Sequence, residues 1–451
     1  MSHLQQLLDE LCPEGVEYVE LRVAFSLRNG YTPSKSEARF WENGTIPWFR
    51  MEDIRENGRI LYDSIQHVTS QAIKGQLFAS DSIIVATSAT IGEHALIKTD
   101  FLANQRFTVL TRKSEYVNKL NMKFVYYYCF RLDNWCLENT NMSSFASVEM
   151  VKFGQFKIPV PPLPVQHEIV CILDNFSELT AELTAELTAR KKQYEFYRDM
   201  LLNFNPIKTD GRTDGRTDGR TDGRTESLLN PASRIAQLIG ELCPNGVEWK
   251  MLGDVIHSLT TGLNPRQFFQ LNTNDARNYY VTIRELQNSR VLFTENTDRI
   301  NDAALRLCNN RSKLDIGDIL FSGTGTIGTT ALVEDYPSNW NIKEGVYSLK
   351  PIPSIILSKF LMYLLNSTFM QFQFSQKAVG GTVRSIPMNE MRKFPIPVPP
   401  LPIQHAIVAI LDRFDALTSD LTQGLPAEIA ARQQQYAYYR DRLLTFREKS
   451  A

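Results

Sequence analysis

Apolar side chains recur at steps of three, four or seven residues along two long stretches of the chain. The first stretch carries Ile169, Ile172, Phe176, Leu179, Leu183, Leu187, Tyr194, Tyr197 and Leu201, and the second carries Ile407, Ile410, Phe414, Leu417, Leu421, Leu425, Ile429, Tyr436, Tyr439 and Leu443. This spacing predicts two amphipathic helices of about ten turns, each roughly 60 Å long. Because both stripes are narrow, we expect the helices to pack together as a coiled coil. The alternative is two separate surface helices, each docked on its own domain.

Both stretches belong to an internal duplication. The proline-rich segment IPVPPLPVQHEIVCILDNF (158–176) recurs as IPVPPLPIQHAIVAILDRF (396–414), and the helix end RKKQYEFYRDMLLNF (190–204) recurs as RQQQYAYYRDRLLTF (432–446). The opening LQQLLDELCPEGVEYVEL (4–21) recurs as IAQLIGELCPNGVEWKML (235–252). The prolines predict an extended entry, with each long helix starting just after Pro164 or its repeat equivalent. Each half therefore reads as a short helix, a variable domain, a proline hinge and a long helix.

The two variable domains resemble each other only weakly. Their clearest match is IIVATSATIGEHALI (83–97) with ILFSGTGTIGTTALV (319–333), where one strand enters a Ser/Thr/Gly turn and a second leaves it. A helical segment follows in each domain, over 118–132 and 357–374. The predicted fold class is α/β (α+β), with two mixed domains separated by two long antiparallel helices in a pseudo-twofold duplication.

Short tandem repeats occur at two places. TAELTAEL (180–187) lies within the first long helix and consists of residues that suit a helix. TDGRTDGRTDGRTDGR (209–224) has a glycine every fourth residue and no apolar groups, which is typical of a flexible linker between the halves. A DNA-binding tail is the alternative for this tract. In the second long helix, Gly424 and Pro426 predict a kink.

Composition restricts the class of protein. The net charge of −1 and the pI near 6.6 exclude a surface coated in positive charge, so any nucleic-acid surface must be local. The six cysteines show neither a CxxC pair nor zinc-site spacing, which favours reduced thiols in a cytosolic protein. We expect a cytoplasmic protein with no membrane association, because the start of the chain does not resemble a signal peptide and no apolar run reaches the length of a membrane span.

Motifs for catalysis or metal binding are not found. The sequence GTGTIG (323–328) superficially resembles a dinucleotide loop, but the TTALVEDY after it reads as a strand rather than a helix. His167 and His405 are repeat equivalents at the helix starts, where a metal-binding pair is the alternative to residues that cap or pack the helix entry. We expect the second role, with no catalytic residue and no metal in this chain.

Candidate DNA-binding residues lie in polar loops of the two variable domains. Arginine, asparagine and glutamine can form paired hydrogen bonds with base edges, and hydroxyl side chains suit phosphate or base contacts. On this basis the candidates are Arg50, Ser88, Thr90, Asn104, Gln105, Arg106, Arg284, Ser322, Thr324, Thr326, Lys343 and Arg384. Fewer than half of them are expected to touch bases.

The complete pattern resembles the specificity subunit of type I restriction–modification enzymes. The residues that carry the resemblance are the two IPVPPLPxQxxIVxILDxF hinges and the two QYxxYRDxLL helix ends. The TAEL repeat is similar to the subgroup in which the spacer helix varies in repeat number. The TDGR tract departs from this pattern.

The resemblance implies a non-catalytic subunit that determines which DNA is recognised. Each variable domain would be a target-recognition domain for one half of a bipartite double-stranded site, and the helices would set the gap. Two methyltransferase subunits carrying S-adenosylmethionine, and restriction subunits using ATP and Mg, would dock on this chain, which itself binds no cofactor. The helix residues assigned to spacing and partner docking are Gln166, Ile169, Phe176, Leu183, Tyr194, Tyr197, Gln404, Ile407, Phe414, Leu421, Tyr436 and Tyr439.

The resulting domain assignment has seven parts. They are the N-terminal repeat helix (1–21), the first target-recognition domain (22–155), the hinge and central spacer helix (156–206), the TDGR linker (207–229), the second copy of the repeat helix (230–252), the second target-recognition domain (253–393), and the hinge with the C-terminal spacer helix (394–451). Two other classes of function compete with DNA recognition. One is a two-headed scaffold that binds proteins or glycans, and the other is a single-chain enzyme with an unrecognised site.

Overall fold

The computed structural model describes residues 3–141, 146–204, 234–381, 383–419 and 424–449. Two compact units make up the chain. The first unit is Met1–Glu182 with Ala430–Ala451, and the second is Leu183–Ile429. The predicted TDGR linker and Leu421 lie outside the described residues. We call residues 22–155 head 1 and residues 253–393 head 2.

The first half of the chain contains six helices and twelve strands among its described residues. The helices are α1 (His3–Leu11), α2 (Leu21–Ala24), α3 (Met51–Asn57), α4 (Met122–Glu138), α5 (Met150–Gln155) and α6 (Leu163–Leu202). The strands are β1 (Tyr18–Glu20), β2 (Phe25–Asn29), β3 (Ile46–Phe49), β4 (Ile60–Leu61), β5 (His67–Val68), β6 (Ser82–Ala86), β7 (His94–Ile97), β8 (Leu102–Ala103), β9 (Phe107–Arg112), β10 (Thr140–Asn141), β11 (Ser147–Val148) and β12 (Lys157–Pro159).

The second half contains eight helices and eleven strands among its described residues. Its helices are α7 (234–242), α8 (Pro265–Phe268), α9 (Asp302–Arg311), α10 (Ser358–Leu365), α11 (Thr368–Lys377), α12 (Met388–Met391), α13 (Leu401–Ser419) and α14 (Leu425–Leu443). Its strands are β13 (Trp249–Met251), β14 (Ile256–Thr261), β15 (Asn278–Val281), β16 (Leu286–Gln287), β17 (Ser289–Val291), β18 (Arg299–Ile300), β19 (Ile319–Ser322), β20 (Thr330–Leu332), β21 (Trp340–Ile342), β22 (Val346–Pro351) and β23 (Pro395–Pro397).

The two heads share one sheet topology. Head 1 has a five-stranded sheet in the order β2-β9-β6-β7-β4 and a three-stranded sheet in the order β5-β3-β8. Head 2 has the matching orders β14-β22-β19-β20-β17-β16 and β18-β15-β21, with one extra edge strand. Parallel and antiparallel pairs also correspond, since β3–β8 and β15–β21 are both parallel. The mixed α/β class is confirmed, and the weak sequence similarity hides a common fold.

Each large sheet is buried on both faces. In head 1, Ile83 and Val85 of β6 contact the core beneath α4, whereas Ile84 and Ala86 contact the core beneath the small sheet. This division follows from the two-residue period of a strand. In head 2, Phe321 and Leu320 of β19 are divided in the same way between two cores. Three layers therefore make up each head, with the large sheet in the middle.

Each proline hinge is an edge strand followed at once by a long helix. Strand β12 pairs antiparallel with β1, with Pro159 opposite Tyr18, and β23 pairs with β13 in the equivalent register. The prediction that the helix starts after Pro164 is wrong, because α6 begins at Leu163. Proline is tolerated in the first helical turn, where its missing N–H has no intrahelical acceptor to lose.

The long helices pack on one another within each unit. In the first unit, the ring of Phe176 stacks on that of Tyr439 with centroids 5.4 Å apart. In the second unit, the repeat-equivalent rings of Phe414 and Tyr197 also stack at 5.4 Å. The beginning of one long helix thus lies beside the end of the other in both units. The alternative of docking on a head also holds in part, because the helix starts enter the head cores.

The second long helix is interrupted where the sequence predicts it. Helix α13 ends at Ser419 and α14 begins at Leu425, with residues 420–423 outside the described part. The carbonyl of Gly424 accepts hydrogen bonds from the backbone N–H groups of Ala427 and Glu428, and Pro426 occupies the first turn of α14. By contrast, α6 continues for 40 residues through the TAEL repeat.

The C-terminal segment is hydrogen-bonded to the N-terminal one in the first unit. The N–H of Val16 donates to the carbonyl of Arg447 (2.8 Å), and the N–H of Lys449 donates to the carbonyl of Val16 (2.9 Å). Removing residues 447–451 should lower the free energy of unfolding of this unit by about 2 kcal/mol, since two backbone hydrogen bonds are lost. Urea unfolding measures this change. Removing only residues 450–451 is the control, and an equal loss there would contradict the assignment.

Among the helices that the structure describes, none combines the length and the apolar character needed to span a membrane. All six cysteines are free thiols.

Candidate nucleic-acid interface

Several of the predicted DNA-binding residues of head 2 line one cleft. Ser322 and Thr324 at the end of β19 and Lys343 after β21 meet around a cavity of 520 Å³. The remaining lining residues are Thr261, Asn264, Thr282, Ile283, Glu344, Gly345, Val346, Tyr347, Ser385 and Met388. Arg284 and Arg384 are the sequence neighbours of lining residues. We call this cleft and its loops the head 2 edge.

Backbone hydrogen bonds bring these loops together. The N–H of Gly323 donates to the carbonyl of Gly345, and the N–H of Lys343 donates to the carbonyl of Val281, both at 2.8 Å. Gly262, directly after β14, allows the closest approach. A Cβ at that position would overlap the carbonyl oxygen of Ile342. The cleft is therefore formed where the ends of β14, β15 and β19 meet the start of β22.

Head 1 presents an equivalent edge. The N–H of Asn104 donates to the carbonyl of Phe49 (2.9 Å), next to Arg50, and the N–H of Thr87 donates to the carbonyl of Arg106 (3.0 Å), next to Ser88. Gly30 corresponds to Gly262, because a Cβ there would overlap the carbonyl oxygen of Ala103. Arg50, Ser88 and the 104–106 loop thus lie together at the head 1 edge.

Two cations at these edges are available to bind an anion. The side chains of Arg106 in head 1 and Lys343 in head 2 are exposed, and neither forms an ion pair with another described residue. Gln105 is exposed and its side-chain oxygen accepts from the hydroxyl of Thr32. The side chain of Asn104 accepts from the N–H of Arg106 (3.0 Å), which shapes the turn.

Arg50 in head 1 and Arg284 in head 2 do not occupy equivalent positions. The N–H of Arg50 donates to the buried carboxylate of Asp53 (2.6 Å), and the N–H of Thr282 donates to Glu285 (2.7 Å). Arg50 therefore corresponds to Thr282 and not to Arg284, which lies two residues further along the chain. Arg284 forms an ion pair with Asp298 at 2.8 Å.

The Arg50 side chain has an unsatisfied donor. Its Nε is buried without a hydrogen-bond partner among the described residues. Its nearest acidic neighbour is Glu52, whose carboxylate lies 3.8 Å from Nε, and the guanidinium lies over the ring of Trp48. A donor in this state favours a role in binding an acceptor from outside the head.

Ser322 and Arg384 stabilise loops in this structure, which their assignment as DNA contacts did not anticipate. Ser322 is 1% exposed, and its hydroxyl donates to the carbonyl of Thr326 and accepts from the N–H of Thr329. The guanidinium of Arg384 donates to the carbonyls of Ser375 (2.8 Å) and Ala378 (3.3 Å). The hydroxyl of Ser322 and the Nη2 nitrogen of Arg384 are thus both used within head 2.

The remaining hydroxyl candidates differ in exposure. Thr324 and Thr326 are exposed on the loop after β19, whereas Ser88 and Thr90 are half-buried in the corresponding loop of head 1. The N–H of Thr90 donates to the carbonyl of Ser88 (2.8 Å) around Ala89, whose φ is +63°. Sequence reasoning missed the cleft residues Thr261 and Asn264, because nothing in the linear pattern places the end of β14 there.

On the hypothesis that head 2 reads one DNA half-site, replacing Gly262 with alanine should weaken recognition of that half-site by about 5- to 150-fold, because the new Cβ forces the 342–343 backbone to move and costs about 1–3 kcal/mol. DNA-binding titrations with sites mutated in one half at a time measure this loss. Gly240→Ala is the control, since a Cβ at position 240 meets no atom within 4 Å. A uniform loss in both half-sites would contradict a local effect.

The hinge glutamines, which were predicted to dock partners, are instead buried and hydrogen-bonded to the backbone of their own heads. Gln166 is fully buried, and its amide donates to the carbonyls of Lys119 (2.7 Å) and Pro161 (2.6 Å) while its oxygen accepts from the N–H of Asn121 (2.8 Å). Gln404 repeats all three bonds in head 2. Ile169 and Ile407 are also fully buried in the head cores. These four residues therefore attach each long helix to its head.

His167 and His405 are exposed at the helix starts. The adjacent glutamines, rather than these histidines, fix the helix entry. No group of three or more His, Cys, Asp or Glu side chains in the described part of the chain is arranged to hold a metal ion.

A second repeated contact lies further along each helix. Asp174 accepts from the ammonium of Lys123 (2.7 Å) and the hydroxyl of Tyr127 (2.5 Å). Asp412 accepts in the same way from Lys359 (2.9 Å) and Tyr363 (2.7 Å). Burial, together with the neighbouring carboxylate, raises the pKa of each tyrosine well above its usual value. No partner for these aspartates was evident from the sequence, because the lysine and tyrosine lie on α4 and α10.

The remaining predicted spacer residues lie along the helix pairs. Leu183, Tyr194 and Tyr436 are half-buried, and burial raises the pKa of Tyr194 and Tyr436. The repeat-equivalent rings of Phe196 and Tyr438 are instead 65% and 59% exposed. They are the largest apolar groups that the helix ends leave uncovered in both units.

Comparison with known proteins agrees with this arrangement. The family model described as "Type I restriction modification DNA specificity domain" matches residues 13–190 and again residues 244–431. The chain is 55% identical over 224 residues to the type I restriction enzyme EcoprrI specificity subunit of Escherichia coli, which covers 47% of this chain and 55% of that protein. It is also 31% identical over 341 residues to the EcoR124I/EcoR124II specificity subunit of Escherichia coli, covering 73% and 72% of the two chains.

Similarity extends over nearly the whole chain in two further cases. A putative type I restriction enzyme specificity subunit of Haemophilus influenzae is 28% identical over 443 residues, covering 94% of both chains. A solved structure described as "Structural basis underlying complex assembly and conformational transition of the type I R-M system" has a TM-score of 0.60 at 17% identity, covering 95% of this chain and 97% of that one. Because the sequence identity to this solved structure is low, the match shows a shared fold alone.

Two heads of one topology, each joined to a long helix by the same hinge, define a duplicated specificity protein. The chain belongs to the type I restriction–modification DNA specificity family. The resemblance to this family drawn from the sequence is thus confirmed, and the assignment to the subgroup with TAEL repeats stays a prediction.

Proposed function

We propose that this chain determines the DNA target of a type I restriction–modification complex, with each head reading one half of a bipartite site. The observation that carries the proposal is the repeated edge, which presents exposed polar and cationic side chains at the same place in both heads. Arg106 and Gln105 occupy it in head 1, and Lys343 and Thr324 occupy it in head 2. Because the two heads share one topology but carry different residues at this edge, they suit two different half-sequences.

The edge residues divide into two chemical roles. Arg106, Gln105 and Arg50 can donate to base edges in the major groove, where arginine pairs best with guanine and glutamine with adenine. Lys343, Thr324 and Thr326 suit phosphate oxygens, which fix the position of the head on the duplex. The net charge of −1 fits this division, because partner subunits would supply further phosphate contacts.

Partner subunits would carry out the methylation and restriction reactions of the complex. The family is non-catalytic, and the relatives are named as subunits of type I restriction enzymes. We therefore assign S-adenosylmethionine to two partner methyltransferase subunits, and ATP with Mg to partner restriction subunits. The uncovered rings of Phe196 and Tyr438 occur once in each unit, which suits two copies of one partner.

Salt dependence of DNA binding tests the proposal. The chain is co-expressed with its methyltransferase subunit, and the Kd for a mixed genomic fragment library is measured between 50 and 200 mM salt. Phosphate neutralisation predicts a loss of affinity of about a thousandfold or more over this range if six or more phosphates are contacted. An assembled complex with no salt-sensitive DNA binding would contradict DNA recognition and favour a protein-binding scaffold.

A further inference from the structure

A short hairpin lies at the head 2 edge. Its described parts are residues 379–381 and 383–385, which we call the finger. The N–H and carbonyl of Val379 pair with the carbonyl and N–H of Ser385, at 2.9 and 2.8 Å. The finger begins two residues after α11 ends, so a rigid helix leads directly into it.

The finger is attached to the cleft by backbone contacts. Ser385 forms a bridge with Thr324, and the N–H of Gly325 donates to the carbonyl of Arg384 (2.9 Å). The N–H of Ile386 donates to the carbonyl of Gly323 (2.9 Å). Together with the Arg384 guanidinium, which holds the end of α11, these bonds fix the finger beside the exposed hydroxyl of Thr324.

Two valines on this fixed hairpin are left in solvent. Val379 is 55% exposed and Val383 is 62% exposed. Such side chains contribute little to the stability of head 2, because they bury little apolar surface within it. Their neighbours in the cleft, Thr324, Lys343 and Ser385, are polar. The apolar pair is therefore continuous with a surface proposed to contact DNA.

The chemistry of valine limits what it can read on a duplex. It has no hydrogen-bond donor or acceptor in its side chain, so it cannot contact the polar edges of bases or the phosphates favourably. The C5 methyl group of thymine is the apolar feature of the major groove, which is about 12 Å wide and admits a two-stranded ribbon. A hairpin that carries two exposed valines matches that feature in both shape and chemistry.

We propose that the finger reads thymine in the head 2 half-site through contact of Val379 and Val383 with thymine methyl groups in the major groove. This inference rests on the proposed function and adds a specificity-determining element to it. It replaces Arg384 as the reader in this loop, since the arginine side chain is used to hold the hairpin in place.

Removal of thymine methyl groups tests the finger directly. The half-site of head 2 is first identified by exchanging residues 253–393 and finding which half of the target changes. Duplexes are then made with deoxyuridine in place of every thymine in that half, which deletes methyl groups and keeps all hydrogen-bonding atoms. For the complete complex, each contacted methyl should weaken the Kd about fourfold on deletion.

The double variant Val379→Ala, Val383→Ala should bind thymine and deoxyuridine duplexes equally, while wild type prefers thymine. Val23→Ala is the matched control, because Val23 is an exposed valine on α2 in the first unit. This control should retain the full preference for thymine. Circular dichroism of the double variant should match wild type, as both valines are largely exposed.

Three results of the DNA-binding measurements would overturn the inference. They are equal binding of both duplexes by wild type, a preference for thymine that persists in the double variant, and a head 2 half-site without thymine. Failure of the double variant to assemble with the methyltransferase subunit would also overturn it and assign the valines to a protein contact. Absence of any DNA binding by the wild-type complex would instead overturn the proposed function.

Discussion

Replacement of Gln404 with alanine is expected to be among the most destabilising single changes in the second unit. The substitution removes the partner of three backbone groups, the buried carbonyl of Pro399 and the partly buried carbonyl of Ile355 and N–H of Leu357. Leaving such groups unsatisfied costs about 1–3 kcal/mol each, so we expect a loss of about 3 kcal/mol or more in the free energy of unfolding. Chemical denaturation followed by tryptophan fluorescence measures it.

The duplication supplies matched variants for this experiment. Gln166→Ala should destabilise the first unit by a similar amount, because its three hydrogen bonds are the same. The adjacent substitutions His405→Ala and His167→Ala should have little effect, since both side chains are exposed. If both glutamine variants had an effect as small as that of the histidine variants, the two glutamines would not stabilise the attachment of the long helices to the heads.

Insertion of one further TAEL unit into α6 is expected to lengthen the gap in the DNA target while leaving both half-sequences intact. Four added residues lengthen a helix by about 6 Å and rotate the part of the helix beyond the insertion by about 40°. Along B-DNA at 3.4 Å per base pair, this corresponds to one or two base pairs. Under the proposed function, the recognised gap should therefore lengthen by that number.

Methylation mapping in cells that carry the inserted variant measures the new gap. Glu182→Gln within the same repeat is the control, because it alters the composition without changing the length of α6. We expect this control to keep the original gap. A changed half-sequence after insertion, or an unchanged gap with full activity, would contradict the proposal that the length of α6 sets the gap.

The helical frame was predictable from the sequence because its signals are local. Prolines mark the hinges, the apolar stripe marks the helices, and the Gly424 and Pro426 pair marks the interruption of the second arm. The helix start was misplaced by two residues, since Pro164 is accommodated in the first turn. The duplication then identified equivalent positions without knowledge of their contacts.

The head 1 edge and the head 2 edge were predictable only in part, because they are formed by long-range strand pairing. Loop polarity directed attention to Thr324 and Lys343, which share a cleft, and their contact with DNA stays a prediction. It could not show that the Ser322 hydroxyl is hydrogen-bonded within its own loop, or that the Arg384 guanidinium is hydrogen-bonded to the end of α11. The partners of Asp174 and Asp412 were missed for the same reason, since they lie about 50 residues earlier in the chain.

Adenine methylation across the genome would show whether two separate heads read the target. The chain is expressed with its methyltransferase subunit, and methylated adenines are mapped by single-molecule sequencing, with and without exchange of residues 22–155. Two independent heads predict one bipartite motif with a fixed gap, and the exchange should replace one half of the motif only. Methylation at a continuous motif, or a change in both halves after the exchange, would contradict a protein that reads DNA with two separate heads.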